Sequence, residues 1–458
     1  MTSQSQPLLA EEAVGGTSKY GRLAIVQISF AVALGALAVS VVLEGIWNGA
    51  AAVVDPLAML AAIYVFILFC LQVWFLEWPS PDIRVFSLLF ASLATFAGPT
   101  ALKLAGENWL PSFWPGVSWI LSMAFVVSAY LLMVRGPKCS VASGSLSGRI
   151  SIISGCNTGI GYETAKALAE AGSTVVFACR SEEKARSAME QLRQEAPSVQ
   201  QEQLKFMTLD LSSLGSVQNF AEEFIRSGLD LHLLIMNAGV MLSSRTITDD
   251  GLDGTMAANH FGHFLLADLL MPRLREAEAH GQEPRIVVVG STTSLLQERF
   301  DFSEVLVHEK SGREAALAKP YSLMRSYGQS KLANLLFVRE LARRLETSGS
   351  KIPVNCVHPG QVLTEVHRDM HSALVLLTKL FHYPAQLFIK TPRQGSFGTL
   401  HVATAPSLAT TSGLFLACHR ELPMPEAACD EDAARRLWML SEVAVGIAGD
   451  IEQSPKSP

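Results

Sequence analysis

Four uncharged, apolar runs occupy the front of the chain, at residues 23–43, 57–75, 85–102 and 113–134. Each is about the length that crosses a bilayer as a helix, roughly 17–25 residues. The third contains Gly98 and Pro99, and a buried core helix stays open as its alternative. Past residue 148 the pattern changes to short apolar runs alternating with amphipathic stretches. The short runs predict strands at 149–154, 174–178, 204–209, 231–236, 285–289 and 353–357. Between them the spacing predicts helices at 163–171, 182–195, 217–227, 255–275 and 327–346. Strand–helix alternation of this kind implies a doubly wound parallel α/β sheet with helices on both faces.

Composition sharpens the division. Hydrophobic residues make up 49% of the 458 and charged residues 17%, and the apolar excess sits in the four front runs. Lys19 and Arg22 precede the first run, Arg84 precedes the third, and Arg135 and Lys138 follow the fourth. The loop after the first run has no Lys or Arg, and Lys103 is the one dissenting charge. The positive-inside rule then places both ends of the bundle, and everything after residue 140, in the cytosol.

The net charge of −6 leaves no basic footprint for nucleic acid. Seven cysteines, at 70, 139, 156, 179, 356, 418 and 429, form no C-x-x-C pair. That spacing argues against a metal site and against a disulfide scaffold.

The first predicted strand runs into Ser154-Gly155-Cys156-Asn157-Thr158-Gly159-Ile160-Gly161, with glycines in the pattern G-x-x-x-G-x-G. Between a strand and a helix, such a turn lets a dinucleotide pyrophosphate approach the backbone at a helix N-terminus. One strand later Arg180 stands where the cofactor ribose is expected. An acid there binds the 2′-hydroxyl of NAD, whereas an arginine accommodates the 2′-phosphate of NADP. The expected cofactor is therefore NADP(H) in preference to NAD(H). Asp210 and Leu211, ending the next strand, are expected beside the adenine. Asn237-Ala238-Gly239 ends the strand after that, at the edge where open α/β sheets bind ligands.

Tyr327 and Lys331, four apart in "YGQSK", share a face of a predicted helix. Ser291, after the strand at 285–289, can converge with them on one carbonyl oxygen. The ammonium is expected to lower the phenol pKa from about 10, so that Tyr327 exchanges the proton while Ser291 holds the oxygen. Tyr321 and Arg325 repeat the spacing just upstream, but an arginine fork is a poor substitute for a compact ammonium.

Through the glycine turn, "NAG", "GS" and "YGQSK", in that order, residues 148 to about 420 resemble the short-chain dehydrogenase/reductase superfamily. "NTGIGYETAKALA", "ACR" and "NHFGHFLLADLL" are most similar to its retinol dehydrogenase and polyprenol dehydrogenase-like group. The resemblance implies a Rossmann-type sheet, preceded here by an all-α transmembrane bundle of about four helices. It implies Asn259 as a fourth catalytic position, ordering a relay water behind Lys331. It also implies that His358, Pro359, Gly360 and Thr364 lie near the nicotinamide. Relatives more often carry Thr and Ala where this turn has Ser154 and Cys156. The segment at 297–319 is longer than is usual in the family, and either caps the substrate mouth or forms a surface loop.

The resulting organisation is a mobile polar tail at 1–20, a transmembrane region at 21–137, a catalytic domain at 148–445 and a flexible tail at 446–458. An apolar stretch at 373–389, punctuated by Lys379 and His382, either dips into a leaflet, lines a lipid pocket or is an ordinary buried helix. The expected activity interconverts an alcohol and a carbonyl on a lipophilic substrate (retinoid, polyprenoid or sterol-like). The expected location is the endoplasmic reticulum or another endomembrane, in contact with membrane lipid. The alternative is a membrane-tethered nucleotide-binding scaffold without turnover. Whether the chain forms a homo-oligomer is left open.

Overall fold

A computed structural model describes residues 138–302, 320–360 and 390–447, with residues 314, 317, 318 and 362 between them. The four predicted spans, the tail at 1–20, residues 448–458, Thr364 and the apolar stretch at 373–389 lie outside the described residues. Among the described residues no helix is long and apolar enough to cross a membrane.

Eight strands form one sheet in the order β3-β2-β1-β4-β5-β6-β7-β8. They are β1 (Ile150–Ser154), β2 (Thr174–Cys179), β3 (Leu204–Thr208), β4 (Leu233–Met236), β5 (Arg285–Val289), β6 (Val354–His358), β7 (Phe415–Ala417) and β8 (Arg420–Glu421). The first seven pair in parallel and β8 closes the edge antiparallel to β7. Every residue of β4 and β5 is buried. Strands covered on both faces read as unbroken apolar runs, and this is why LLIM and RIVVV show no alternation.

The helices are α1 (Gly159–Glu170), α2 (Glu182–Glu195), α3 (Leu214–Arg226), α4 (Gly254–Met256), α5 (Gly262–Ala279), α6 (Leu323–Thr347), α7 (Pro392–Thr404), α8 (Glu426–Cys429) and α9 (Glu431–Ala444). They cover the sheet from both sides. One core layer includes Phe220, Phe224, Phe261, Phe264, Leu332 and Leu336, and the other includes Tyr162, Leu168, Leu192 and Leu400.

Among the differences from the sequence reading, three bear on the site. The first helix begins at Gly159, inside the glycine turn, rather than at residue 163. The helix at α6 begins at Leu323, because the Ser322 hydroxyl accepts from the Arg325 N–H and caps it there. The single helix expected at 255–275 is broken by a π-helical stretch, Ala257–Phe261, between α4 and α5. Such stretches cluster at functional sites because they re-aim a side chain. Asn259 lies within this one.

The structure also adds β7, β8, α7, α8 and α9, which hydrophobic spacing did not expose. Two signals were present. Thr391 and Gln394 form a capping box with Pro392 in the first turn of α7. Asp430 caps α9 ahead of Glu431 and Asp432. The last helix docks through Trp438, which stacks on Phe337 at 5.8 Å between ring centroids and meets Phe264 edge-on at 4.8 Å.

Candidate active site

The glycine turn is fastened to the end of β4 by Ser154. Its buried hydroxyl accepts from the N–H groups of Asn237 and Ala238, each at 2.9 Å. The same oxygen lies 2.8 Å from His263 Nε2, and His263 Nδ1 lies 3.3 Å from the Asn259 carbonyl. The Asn237 amide donates back to the carbonyls of Ser154 at 2.9 Å and Gly155 at 3.2 Å. Burial holds His263 neutral, with its pKa pushed down to about 4. The sequence reading notes Ser154 only as a departure from relatives and does not include His263. The spacing of Asn259 and His263, one helical turn apart, was the available signal.

Gly155 and Gly159 take φ of 65° and 62°, the left-handed region that a side chain disfavours. Thr158 precedes α1 in an extended conformation, and its side chain makes no cap hydrogen bond. The first-turn N–H groups of Gly159, Ile160 and Gly161 are thus not closed off by that side chain, in a cradle fitted to a pyrophosphate. Asn157 follows on the same turn. Arg180 is exposed immediately after β2. Asp210 holds the loop after β3, its Oδ1 accepting from the Ser212 N–H at 3.0 Å and hydroxyl at 2.6 Å, and Leu211 is buried behind it.

On the other side of the sheet edge, Ser291 follows β5 and starts a 3₁₀ turn, its Oγ accepting from the Thr293 N–H at 3.2 Å. That hydroxyl also acts on the Tyr327 phenol, lowering its pKa. The Lys331 ammonium lies 5.6 Å from the centroid of the Tyr327 ring and donates to the Val289 carbonyl at 2.9 Å. A Cβ built on Gly239 would stand 3.4 Å from Lys331 Nζ and 3.5 Å from Asn259 Oδ1. Ser291, Tyr327, Lys331, Asn259 and the "NAG" segment are therefore gathered at one end of the sheet.

Asn259 is fully buried, and its amide is engaged within the protein. Its Oδ1 accepts from the Val240 N–H at 2.7 Å, and its Nδ2 donates to the Val240 carbonyl and to Ser330 Oγ, both at 2.9 Å. Ser330 in turn donates to the Tyr327 carbonyl at 2.7 Å. The water-ordering role expected of Asn259 is a different contact from these side-chain bonds. They brace the loop after β4 against the helix that carries Tyr327.

The expectation that Lys331 lowers the phenol pKa also needs revision. Burial pushes the Tyr327 pKa up to about 12, and the Ser291 hydroxyl only partly opposes this. Burial pushes the Lys331 pKa down to about 8. The Lys331 ammonium, directed to the Val289 carbonyl, does not offset the burial of the phenol. At neutral pH the pair is a phenol O–H beside an ammonium, poised to donate.

His358 ends β6 beside this cluster, with its Nε2 3.4 Å from Thr292 Oγ1, and Pro359 and Gly360 follow it. Lys390, buried and not anticipated as part of this region, donates to the Pro359 carbonyl at 3.3 Å and lies 2.7 Å from Cys418 Sγ. Tyr321 and Arg325 do not compete for the site. The Tyr321 hydroxyl donates to the Leu242 carbonyl at 2.9 Å, and Arg325 pairs with Asp301 at 2.6 Å. Of the segment at 297–319, the described part ties Gln297 and Arg299 to the Gln329 amide, at 3.0 and 2.9 Å.

With this geometry in place, comparison with known proteins identifies the lineage. Residues 149–301 match the short chain dehydrogenase family. Mouse retinol dehydrogenase 14 is 38% identical over 312 residues, covering 66% of this chain and 88% of the relative. The chain belongs to the short-chain dehydrogenase family. A second relative of this short-chain dehydrogenase, mouse polyprenol dehydrogenase, is 36% identical over 318 residues, covering 69% of this chain and 90% of the relative. The crystal structure of an uncharacterized protein from Mycobacterium Paratuberculosis superposes with a TM-score of 0.52 at 28% identity, covering 68% of this chain and 98% of that one. The chain is accordingly an oxidoreductase of this family, on a fold that binds a nicotinamide cofactor.

Proposed function

We propose that this short-chain dehydrogenase uses NADP(H) to interconvert an alcohol and a carbonyl on a lipophilic substrate of the retinoid, polyprenoid or sterol class. The observation that carries the reading is the Tyr327 phenol between the Ser291 hydroxyl, which lowers its pKa, and the Lys331 ammonium, 5.6 Å from the ring centroid. When bound, the cofactor supplies or accepts the hydride. The pyrophosphate is assigned to Gly155, Asn157, Thr158, Gly159, Ile160 and Gly161, and the 2′-phosphate to Arg180. The adenine end is assigned to Asp210 and Leu211. The inner end is assigned to Asn237, Ala238, Gly239, Pro359, Gly360 and Thr364, together with Tyr327 and Lys331. In the reducing direction Tyr327 gives its proton to the carbonyl oxygen, which the Ser291 hydroxyl holds in place. Lys331, cationic at neutral pH, stabilises the phenolate that this leaves. Asn259 is a positioning residue that braces the loop of Gly239 against α6.

Lipophilic substrates are supported by the names of the two mouse relatives, which act on retinol and on polyprenol. The four apolar runs at 23–134 support a membrane anchor, and the placement of Lys and Arg between them supports a cytosolic catalytic domain. The deciding experiment incubates the detergent-solubilised protein with NADPH or NADH and a panel of lipophilic carbonyls. Oxidation of NADPH with at least one of them is expected. Binding of NADPH without turnover of any would leave a tethered nucleotide-binding protein instead. Protease added outside sealed microsomes should digest the chain after residue 140, and protection of that region would reverse the orientation.

A further inference from the structure

The Sγ atoms of Cys156 and Cys179 lie 3.8 Å apart. Both are free thiols, 0% and 3% exposed. Parallel pairing of β1 with β2 brings them together. Ser154 stands opposite Ala178, and the Gly155 N–H donates to the Ala178 carbonyl at 2.9 Å, so Cys179, next after Ala178, lies beside the turn that carries Cys156 two residues past Ser154. A sulfur–sulfur bond is about 2.05 Å long, so closure requires an approach of less than about 2 Å.

The two sulfurs are not equivalent. The Cys156 thiol, 3.8 Å away, is the main influence holding the Cys179 pKa below the ordinary thiol value, with the backbone of the turn acting in the same sense and burial opposing. Burial pushes the Cys156 thiol up, and that sulfur also lies 3.2 Å from the Ile153 carbonyl. Cys179 has the surroundings of an attacking thiolate and Cys156 those of a neighbouring thiol held ready. Their burial limits the oxidant to a molecule of about the size of hydrogen peroxide.

We propose that Cys156 and Cys179 are a peroxide-oxidised pair whose reversible disulfide disables the glycine turn for the dinucleotide. In the first step the Cys179 sulfur attacks one oxygen of a peroxide. The O–O bond breaks, the other oxygen leaves as hydroxide and takes up a proton, and Cys179 becomes a sulfenic acid. In the second step the Cys156 sulfur attacks that sulfur. The S–S bond forms, the S–O bond breaks, and hydroxide leaves with the Cys156 proton as water. Two thiols lose two electrons, and one hydrogen peroxide becomes two waters. A dithiol reverses the bond by two thiol–disulfide exchanges.

The consequence follows from how tightly the turn is packed. A Cβ built on Gly161 would stand 2.9 Å from Cys156 Cα, so the Cys156 backbone lies directly against the start of α1. Drawing Cys156 toward β2 shifts that backbone beneath the N–H groups assigned to the pyrophosphate. It also strains the residue before Arg180. This consequence rests on the NADP(H) reading, whereas formation of the bond does not.

The test treats the purified full chain with hydrogen peroxide, alkylates the remaining thiols under denaturing conditions, and maps peptides without reduction. A Cys156–Cys179 linked peptide that dithiothreitol removes is expected. NADPH affinity, followed by its fluorescence, should fall by about tenfold or more on oxidation and return with dithiothreitol. Cys156→Ala and Cys156→Ser, which remove a thiol the cofactor reading does not use, should bind NADPH before and after peroxide alike. Absence of the linked peptide at doses that oxidise the exposed Cys429 overturns the proposal. A linked peptide with unchanged NADPH affinity overturns the switch. Failure of untreated protein to bind NADPH overturns the cofactor reading instead, and the linked peptide still decides the disulfide.

Discussion

Lys331 Nζ sits 5.6 Å from the centre of the Tyr327 ring and is hydrogen-bonded to the Val289 carbonyl rather than to the phenol. Burial acts on both groups in the same sense, raising the phenol pKa to about 12 and lowering the ammonium to about 8. Each shift favours the neutral form, because a low-dielectric surrounding disfavours charge of either sign. A helical spacing of four brought the two side chains to one face. Where the ammonium points is a matter of which acceptor the fold supplies.

The first prediction concerns that pair. Tyr327→Phe removes the proton donor and should lower turnover of a lipophilic carbonyl by about 10²–10⁴-fold. NADPH binding and thermal stability should change little. Tyr321→Phe, whose hydroxyl is bonded to the Leu242 carbonyl, is the control and should keep its activity. Steady-state NADPH oxidation by the two variants decides it, and damage confined to Tyr321→Phe would transfer the assignment.

A second prediction uses the pH dependence of stability. The folded-state pKa of Lys331, about 8, lies below the ordinary value of 10.5. Folding therefore carries a penalty that is full below about pH 8 and vanishes above about pH 10.5. Lys331→Met relieves that penalty while leaving the Val289 carbonyl without its donor at every pH. Relative to wild type, the variant should gain about 2 kcal/mol between pH 9.5 and pH 7, whatever its absolute stability. Urea unfolding of both proteins at the two pH values measures the difference. A gap independent of pH would show that Lys331 is not desolvated.

Cofactor preference is read from Arg180, which is exposed directly after β2. Arg180→Asp replaces a phosphate partner with a repelling charge. It should weaken NADPH binding by about 10–100-fold and leave NADH within a few-fold. Titration of both cofactors into both proteins reads the ratio. Equal wild-type affinities would remove the basis for assigning NADP(H).

Ser154 makes a prediction that only the structure allows. Ser154→Ala leaves the N–H groups of Asn237 and Ala238 without their acceptor, and also removes the partner of His263 Nε2. A buried group left unpaired costs about 1–3 kcal/mol, so a loss of about 2 kcal/mol or more is expected in denaturant unfolding, with weaker NADPH binding. Ser154→Thr, which keeps the hydroxyl, should restore both. If Ser154→Ala were as stable as wild type, the hydroxyl would not be what fastens the turn to β4.

By itself the sequence determined the doubly wound sheet. Short apolar runs such as RIVVV and LLIM, recurring between amphipathic stretches, fit strands covered on both faces, and the glycine pattern fits a backbone that turns tightly into a helix. It also determined which side chains meet within one element, as Tyr327 and Lys331 do, because helical spacing is local. Tertiary structure alone decided what those groups face. Ser154 to Asn237, Asn259 to Val240 and Ser330, and Cys156 to Cys179 are contacts between segments far apart in the chain, set by strand order and register. The same holds for the two pKa shifts. Desolvation depends on everything packed around a group, and no spacing along the chain encodes it.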